Sequence, residues 1–182
     1  MEPTRVLLTA DQIQERVEQL AQSVNADFAG QELVVVGILA GSFIFLADLV
    51  RRITVPLVID FMDLSSYGTS TESSGEVRIL KDLEMPVEGK NVLVVEDIVD
   101  TGLTLKYVVG VLNKRRPQKL KVCVLLDKPS RRKTDFVPDY CGFTIPDEFV
   151  VGYGLDYAEK YRNLPDIRIL EPGEVDLQGG EG

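Results

Sequence analysis

Residues 94–105 read VVEDIVDTGLTL: an apolar run gathers Glu96, Asp97 and Asp100 at its end and then turns through Thr101-Gly102 into a helix-like pattern. Carboxylates at the end of a strand are hard oxygen donors suited to a divalent cation. The turn favours the opposite charge. Gly102 permits close backbone approach, the first N–H groups of a following helix lack intrahelical partners, and Thr101 and Thr104 add hydroxyls. The segment Asp100 to Thr104, with Leu103 contributing through its backbone, therefore suits a monophosphate. No Gly-Lys-Ser/Thr follows, so this is not a Walker loop. The bland alternative is that Asp100 or Thr101 only caps a helix. Glu96 and Asp97 would repel a neighbouring phosphate unless they face ribose hydroxyls or a Mg²⁺ carrying other phosphate oxygens. Either arrangement points towards a phosphorylated sugar.

The chain contains no histidine, which removes the commonest general base and zinc ligand and leaves acid–base work to carboxylate, lysine or tyrosine. Of its two cysteines, Cys123 lies in an apolar run and reads as a buried reduced thiol. A formal net charge of −9 disfavours nucleic acid or an acidic membrane as the main partner. Neither a spanning apolar run nor a cleavable leader pattern is present, so a cytoplasmic location is expected.

The elements that must hold these residues alternate. Thr9-x-x-Gln12 has the form of a capping box, and Ile13, Val17, Leu20, Ala21, Val24 and Phe28 follow at helical spacing. LVVVGIL (33–39) reads as a strand covered on both faces; Ala40-Gly41-Ser42 ends it, and Ser42 is placed to cap a helix reaching about Arg52. Further strands are expected at Pro56–Leu64, at Val77–Leu83 on a sheet edge, at Asn91–Asp97, at Lys119–Asp127 and at Glu148–Gly154, with a helix from about Leu103 to Arg115. Buried strands alternating with helices predict an α/β domain with a mainly parallel central sheet, residues 1–170, followed by a disordered tail, 171–182. Ligands of such sheets bind outside the carboxyl ends of the strands, where the turns after Leu39, Asp97, Asp127 and Val151 lie.

VLVVEDIVDTGLTL resembles the phosphoribosyl pyrophosphate (PRPP) signature of type I phosphoribosyltransferases. The remaining turns narrow the resemblance to the hypoxanthine (hypoxanthine-guanine) phosphoribosyltransferase family. LAGSFIF resembles its pyrophosphate loop, SSYGTS its flexible catalytic loop, LLDKPSRR its purine-reading lysine segment, and IPDEFVVGYGLDYAEKYRNLP its base-binding and metal segment. The resemblance implies the type I phosphoribosyltransferase fold, with a small base-binding hood and a flexible lid loop.

It also implies roles. Glu96 and Asp97 would hold the ribose hydroxyls of PRPP, and Asp100, Thr101, Gly102, Leu103 and Thr104 its 5-phosphate. Asp100 would accept the N7 proton of the purine as general base, a role open to a carboxylate. Leu39, Ala40, Gly41 and Ser42 would bind pyrophosphate with Arg162, whose donor fork suits it. The family often carries a basic residue where this chain has Ala40, and its loop can adopt a non-proline cis peptide there. Lys128 would donate to O6 of the purine; the alternative is a solvated lysine. Phe149 would stack on the base while backbone groups of Val150 read its edge, against the alternative of two core residues. Asp156 would orient a Mg²⁺ through water, giving Glu96, Asp97 and Asp156 as the metal residues; Asp156 and Arg162 could instead form a surface ion pair. Ser66 and Tyr67 would sit on a lid, Ser65 to Gly75.

The activity implied is Mg²⁺-dependent purine salvage: a 6-oxopurine base, hypoxanthine or guanine, and PRPP give a purine nucleoside monophosphate, IMP or GMP, and pyrophosphate, in a homodimer or homotetramer. The rivals are a phosphoribosyltransferase preferring xanthine or a pyrimidine, and a non-catalytic PRPP-sensing regulator. A phosphoacceptor signalling domain shares an acidic pair and a Lys-Pro, but its pair follows the first strand.

Overall fold

Helix α1 (Ala10–Asp27) starts where Thr9 and Gln12 close the expected capping box: Gln12 N–H donates to Thr9 Oγ1 and Thr9 N–H to Gln12 Oε1. The computed structural model describes residue 3 and residues 5–67 and 76–171, for residues 66, 67 and 76 the backbone alone. Four strands carry the centre of the sheet: β2 (Leu33–Leu39), β3 (Leu57–Tyr67), β5 (Asn91–Val99) and β6 (Lys119–Asp127), with β4 (Glu76–Lys81) between β3 and β5 in the chain. With β7 (Tyr140–Thr144) they form a sheet of order β4-β3-β2-β5-β6-β7, parallel throughout except for the antiparallel β3–β4 pair at its edge.

The run of valines is explained by parity. Val35, Leu93, Val95, Cys123 and Leu125 face α1 and α2 (Phe43–Val50), whereas Val34, Val36, Val92, Val94, Val122 and Val124 face the side covered by α3 (Leu103–Asn113). Successive residues of one strand point to opposite faces, so a strand clad on both sides cannot afford a polar alternate. Each fully buried Val or Leu contributes about 1.5–3 kcal/mol relative to its exposed state.

A second sheet, β1 (Arg5–Leu8), β9 (Ile167–Ile169) and β8 (Val150–Val151) in that order, is antiparallel and carries the expected hood residues. Of the expected strand Glu148–Gly154 only Val150–Val151 is extended, because Gly152 and Gly154 both take φ of +101° and turn the chain. Strands β1, β7 and β9 were not expected. Residues Ser65–Tyr67, assigned to the lid, lie on β3 paired with β4, while residues 68–75 of that lid and 172–182 of the tail lie outside the described residues. Among the described residues, no helix is long and apolar enough to cross a membrane.

Neighbours β2 and β5 are the point at which the strand order reverses: the chain winds from β2 outward to β3 and from β5 outward to β6. A crevice opens there at the carboxyl ends of the strands. Leu39 and Val99 end those two strands, so the two loops expected to bind pyrophosphate and phosphate start side by side.

Candidate active site

The loop after β5 builds its own cradle. Gly102 is the residue before α3 and has φ +82°, and a Cβ added to it would meet Thr134 Oγ1 at 2.4 Å and Arg132 Cδ at 2.9 Å. Both the conformation and the close approach therefore require glycine. Neither Asp100 nor Thr101 caps α3 in the simple sense; Thr101 Oγ1 instead accepts from Leu103 N–H at 3.3 Å within the turn. Glu96, Asp97, Asp100, Thr101, Gly102 and Thr104 line one cavity of about 250 Å³. A larger cavity of about 700 Å³ lies at the opposite ends of the strands, among Leu33, Leu57, Lys90 and Asn91, and contains no candidate residue.

Glu96 is 8% exposed, and burial, then the adjacent Asp97 charge, pushes its carboxyl well above the ordinary range. Burial also raises Asp97, against the opposing effects of Glu96, the Ile98 N–H and the positive charge of Arg162. Two buried carboxylates side by side are relieved by hydroxyl donors or by a cation. A Mg²⁺ typically takes one or two carboxylates and completes its shell with water and substrate phosphate oxygens, which this pair suits. Asp156 does not join them: its Oδ1 lies 3.2 Å from Arg162 Nη2 and its Oδ2 accepts from Glu159 N–H, and among the described residues no three potential ligands converge.

The loop after β2, expected to bind pyrophosphate, meets this acidic pair directly. The Leu39–Ala40 peptide is cis, and an added Cβ at Gly41 would lie 1.9 Å from Asp97 Oδ2. Ser42 precedes α2, yet its hydroxyl is not a cap; it donates to Ile38 O at 2.5 Å, tying the loop back to β2. From the other side Gly154 packs on the loop, where a Cβ would stand 2.2 Å from Gly41 O. Arg162 holds that second turn, donating to Gly154 O at 2.8 Å. The ion pair between Asp156 and Arg162 thus sits beside the crevice and not apart from it.

Burial differs among the three residues expected to meet the base. Lys128 is 7% exposed, so it is not a solvated lysine. Burial lowers its ammonium pKa, opposed by the attraction of Asp100 and Asp147. Phe149 is 47% exposed and meets Tyr157 edge to face with ring centroids 5.7 Å apart, so it is no core residue. Val150, at 5%, does have its side chain in the core. Asp100 faces two residues that sequence reasoning missed. Arg131 Nε lies 2.9 Å from Asp100 Oδ1, and Arg132 Nε donates to Asp100 O at 3.2 Å. Their only signal was the Arg-Arg pair shortly after Lys128. Cys123 and Cys141 are both free thiols, and burial raises both.

Residues 7–158 match the family model described as a phosphoribosyl transferase domain. The hypoxanthine-guanine phosphoribosyltransferase of Bacillus subtilis is 49% identical over 168 residues, covering 92% of this chain and 93% of that protein. That of Staphylococcus aureus strain Mu50 is 53% identical over 167 residues with the same coverage. A bifunctional TilS/HprT protein of Listeria monocytogenes is 50% identical over 168 residues, but there the chain spans only 26% of the relative's length. A crystal structure of a hypoxanthine-guanine phosphoribosyltransferase from Bacillus anthracis superposes with a TM-score of 0.90 at 51% identity, covering 93% of this chain and 100% of that one.

Proposed function

Because the chain belongs to the phosphoribosyltransferase family, among the hypoxanthine-guanine phosphoribosyltransferases, we propose that it transfers the phosphoribosyl group of PRPP to N9 of hypoxanthine or guanine, giving IMP or GMP and pyrophosphate. The observation that carries this reading is the buried Lys128 held in the field of Asp100 at adjacent strand ends. A cation and a carboxylate sharing one side of the crevice match a base that offers a carbonyl oxygen to one and an N–H to the other.

The 5-phosphate rests on Asp100 to Thr104, and Glu96 and Asp97 take the ribose hydroxyls. Glu96 and Asp97 would hold a Mg²⁺ together with PRPP, with Asp156 orienting it through water, and the ion would supply charge neutralisation for the leaving pyrophosphate. The backbone of residues 39–42 and Arg162 receive that pyrophosphate. Asp100 accepts the N7 proton as N9 bonds to the anomeric carbon, and Phe149 covers the ring. The same reading places the enzyme in the cytoplasm as a homodimer or homotetramer, a state for which the exposed Phe43, Val58 and Ile59 offer apolar surface.

The test incubates purified protein with PRPP, Mg²⁺ and each nucleobase in turn. IMP and GMP are the expected products. Nucleotide from xanthine or a pyrimidine alone would reassign the base, and PRPP binding without any nucleotide would make the protein a sensor.

A further inference from the structure

We infer that Arg131 is a positioning residue for Asp100, holding one carboxylate oxygen so that the other is presented to the purine; this rests on Asp100 being the general base. The two oxygens of Asp100 are not equivalent. Its Oδ1 is shut off from solvent and lies 2.9 Å from Arg131 Nε, in ion-pair contact without the alignment of a hydrogen bond, while the side chain as a whole is 40% exposed. The accessible remainder of that carboxylate is Oδ2. An unrestrained Asp carboxylate offers either oxygen and swings about two torsions, whereas proton transfer needs the acceptor within about 2.6–3.2 Å of the donor.

Arg131 is itself held. It ends the short 3₁₀ turn Pro129–Arg131, its N–H donates to Lys128 O at 3.2 Å, and its Nη1 approaches Asp147 Oδ1 at 3.5 Å. Lys128, Arg131 and Asp100 are thereby linked through one turn, so the group expected to meet O6 and the group expected to meet N7 share a scaffold. The neighbouring Arg132 does a separate job. It bonds the carbonyl of Asp100, the carbonyl of Phe136 and the carboxylate of Asp127, a set of backbone and buried contacts that fixes the loop and not the reacting oxygen. The dipeptide grips Asp100 at both ends. Arg131 is half exposed, so solvent screening leaves its ion pair little weight in folding.

The experiment measures kcat, KM for PRPP and thermal melting for Arg131→Met and Arg131→Lys, each in the parent and in the Asp100→Asn background. Arg131→Met is expected to lower kcat about 10- to 100-fold, with KM for PRPP changed less than about twofold. Arg131→Lys should recover part of kcat, the melts should coincide with the parent, and Arg131→Met should cost nothing further once Asp100 is Asn. An equal loss of kcat in both backgrounds, a loss confined to KM for PRPP, or a gain in kcat would overturn the inference. If Asp100→Asn alone leaves kcat unchanged, the general-base reading fails and takes this inference with it. Equal losses in the two backgrounds remove the inference and leave that reading standing.

Discussion

Gly41 lies so close to the Asp97 carboxylate that a Cβ at position 41 would stand 1.9 Å from Asp97 Oδ2. The contact joins the loop after β2 to the carboxyl end of β5, the two strands at which the sheet reverses its winding, and it leaves no room for a side chain between the expected pyrophosphate and ribose sites. The atom in the way is the end of a side chain, which can rotate aside. Doing so sacrifices the bond that Asp97 Oδ1 accepts from Ile98 N–H at 2.7 Å. Gly41→Ala is therefore expected to fold with a melting temperature near the parent's and to lose about 100-fold in kcat/KM for PRPP, as a displaced reactant does. Steady-state kinetics beside a thermal melt check both halves; a full-activity variant would mean that Asp97 has no fixed duty.

Gly154 presents the opposite case on the same loop. Its φ is +101°, and an added Cβ would meet the Gly41 carbonyl oxygen at 2.2 Å, a backbone atom that cannot turn away. Gly154→Ala should therefore destabilise the fold by about 1–3 kcal/mol as well as impair catalysis. Urea titration reads this as a lower midpoint with an unchanged slope.

Much of this arrangement was legible in the sequence, for identifiable reasons. Strands β2, β5 and β6 announce themselves because both faces are buried, and α1 because its capping box and apolar stripe agree. β1 and β9 escaped because each is short and acquires its partner only across the whole chain, Arg5 opposite Ile169. β7 escaped because Gly142 looks like a breaker, whereas it is the point where the backbone closes on β6: a Cβ there would lie 2.4 Å from Leu125 O. In the site, Lys128 was reached only through the family resemblance, while Asp100 stood out by type and place. The turn carrying Asp156 and Arg162 did not, since Ala158, Glu159 and Tyr161 take positive φ without being glycine or asparagine. Nor could spacing show that Arg131 would pair with Asp100, a contact made between two loops.

Lys128 pits function against stability. It is 7% exposed, and burial lowers its pKa despite the nearby carboxylates. Lys128→Met keeps the volume, removes a charge that folding disfavours and deletes the proposed donor to O6. A hydrogen bond to a charged group is worth about 1.5–3 kcal/mol, so kcat/KM for hypoxanthine should fall roughly 10- to 150-fold, with KM for PRPP little changed. At neutral pH the variant should melt at or above the parent temperature, as expected when a functional group is held at some cost to the fold. A lower melting temperature with normal use of hypoxanthine would return Lys128 to a structural role.

Asp48 on α2 supports the turn from behind. Its carboxylate accepts from the Tyr153 hydroxyl, from Gln14 Nε2 at 3.0 Å and from Arg51, and Tyr153 directly precedes the Gly154 that rests on the loop after β2. Burial alone would raise the Asp48 pKa; the Tyr153, Gln14 and Arg51 bonds outweigh it and hold the group below its ordinary 3.8. A carboxyl depressed in the folded state stabilises the fold fully above its unfolded pKa and loses that contribution as pH falls through the folded value. Asp48→Asn should therefore cost about 1–2 kcal/mol of stability, through weakened charge-assisted bonds, at a level that stays constant from about pH 5 to 8. Below about pH 4 the gap between parent and variant melting temperatures should begin to narrow as the unfolded carboxyl takes up its proton, and it should close once pH has fallen through the lower folded value. Melts of both proteins across that range decide the matter: a gap that persists undiminished at about pH 3 would show that the network is held by shape and not by the charge on Asp48.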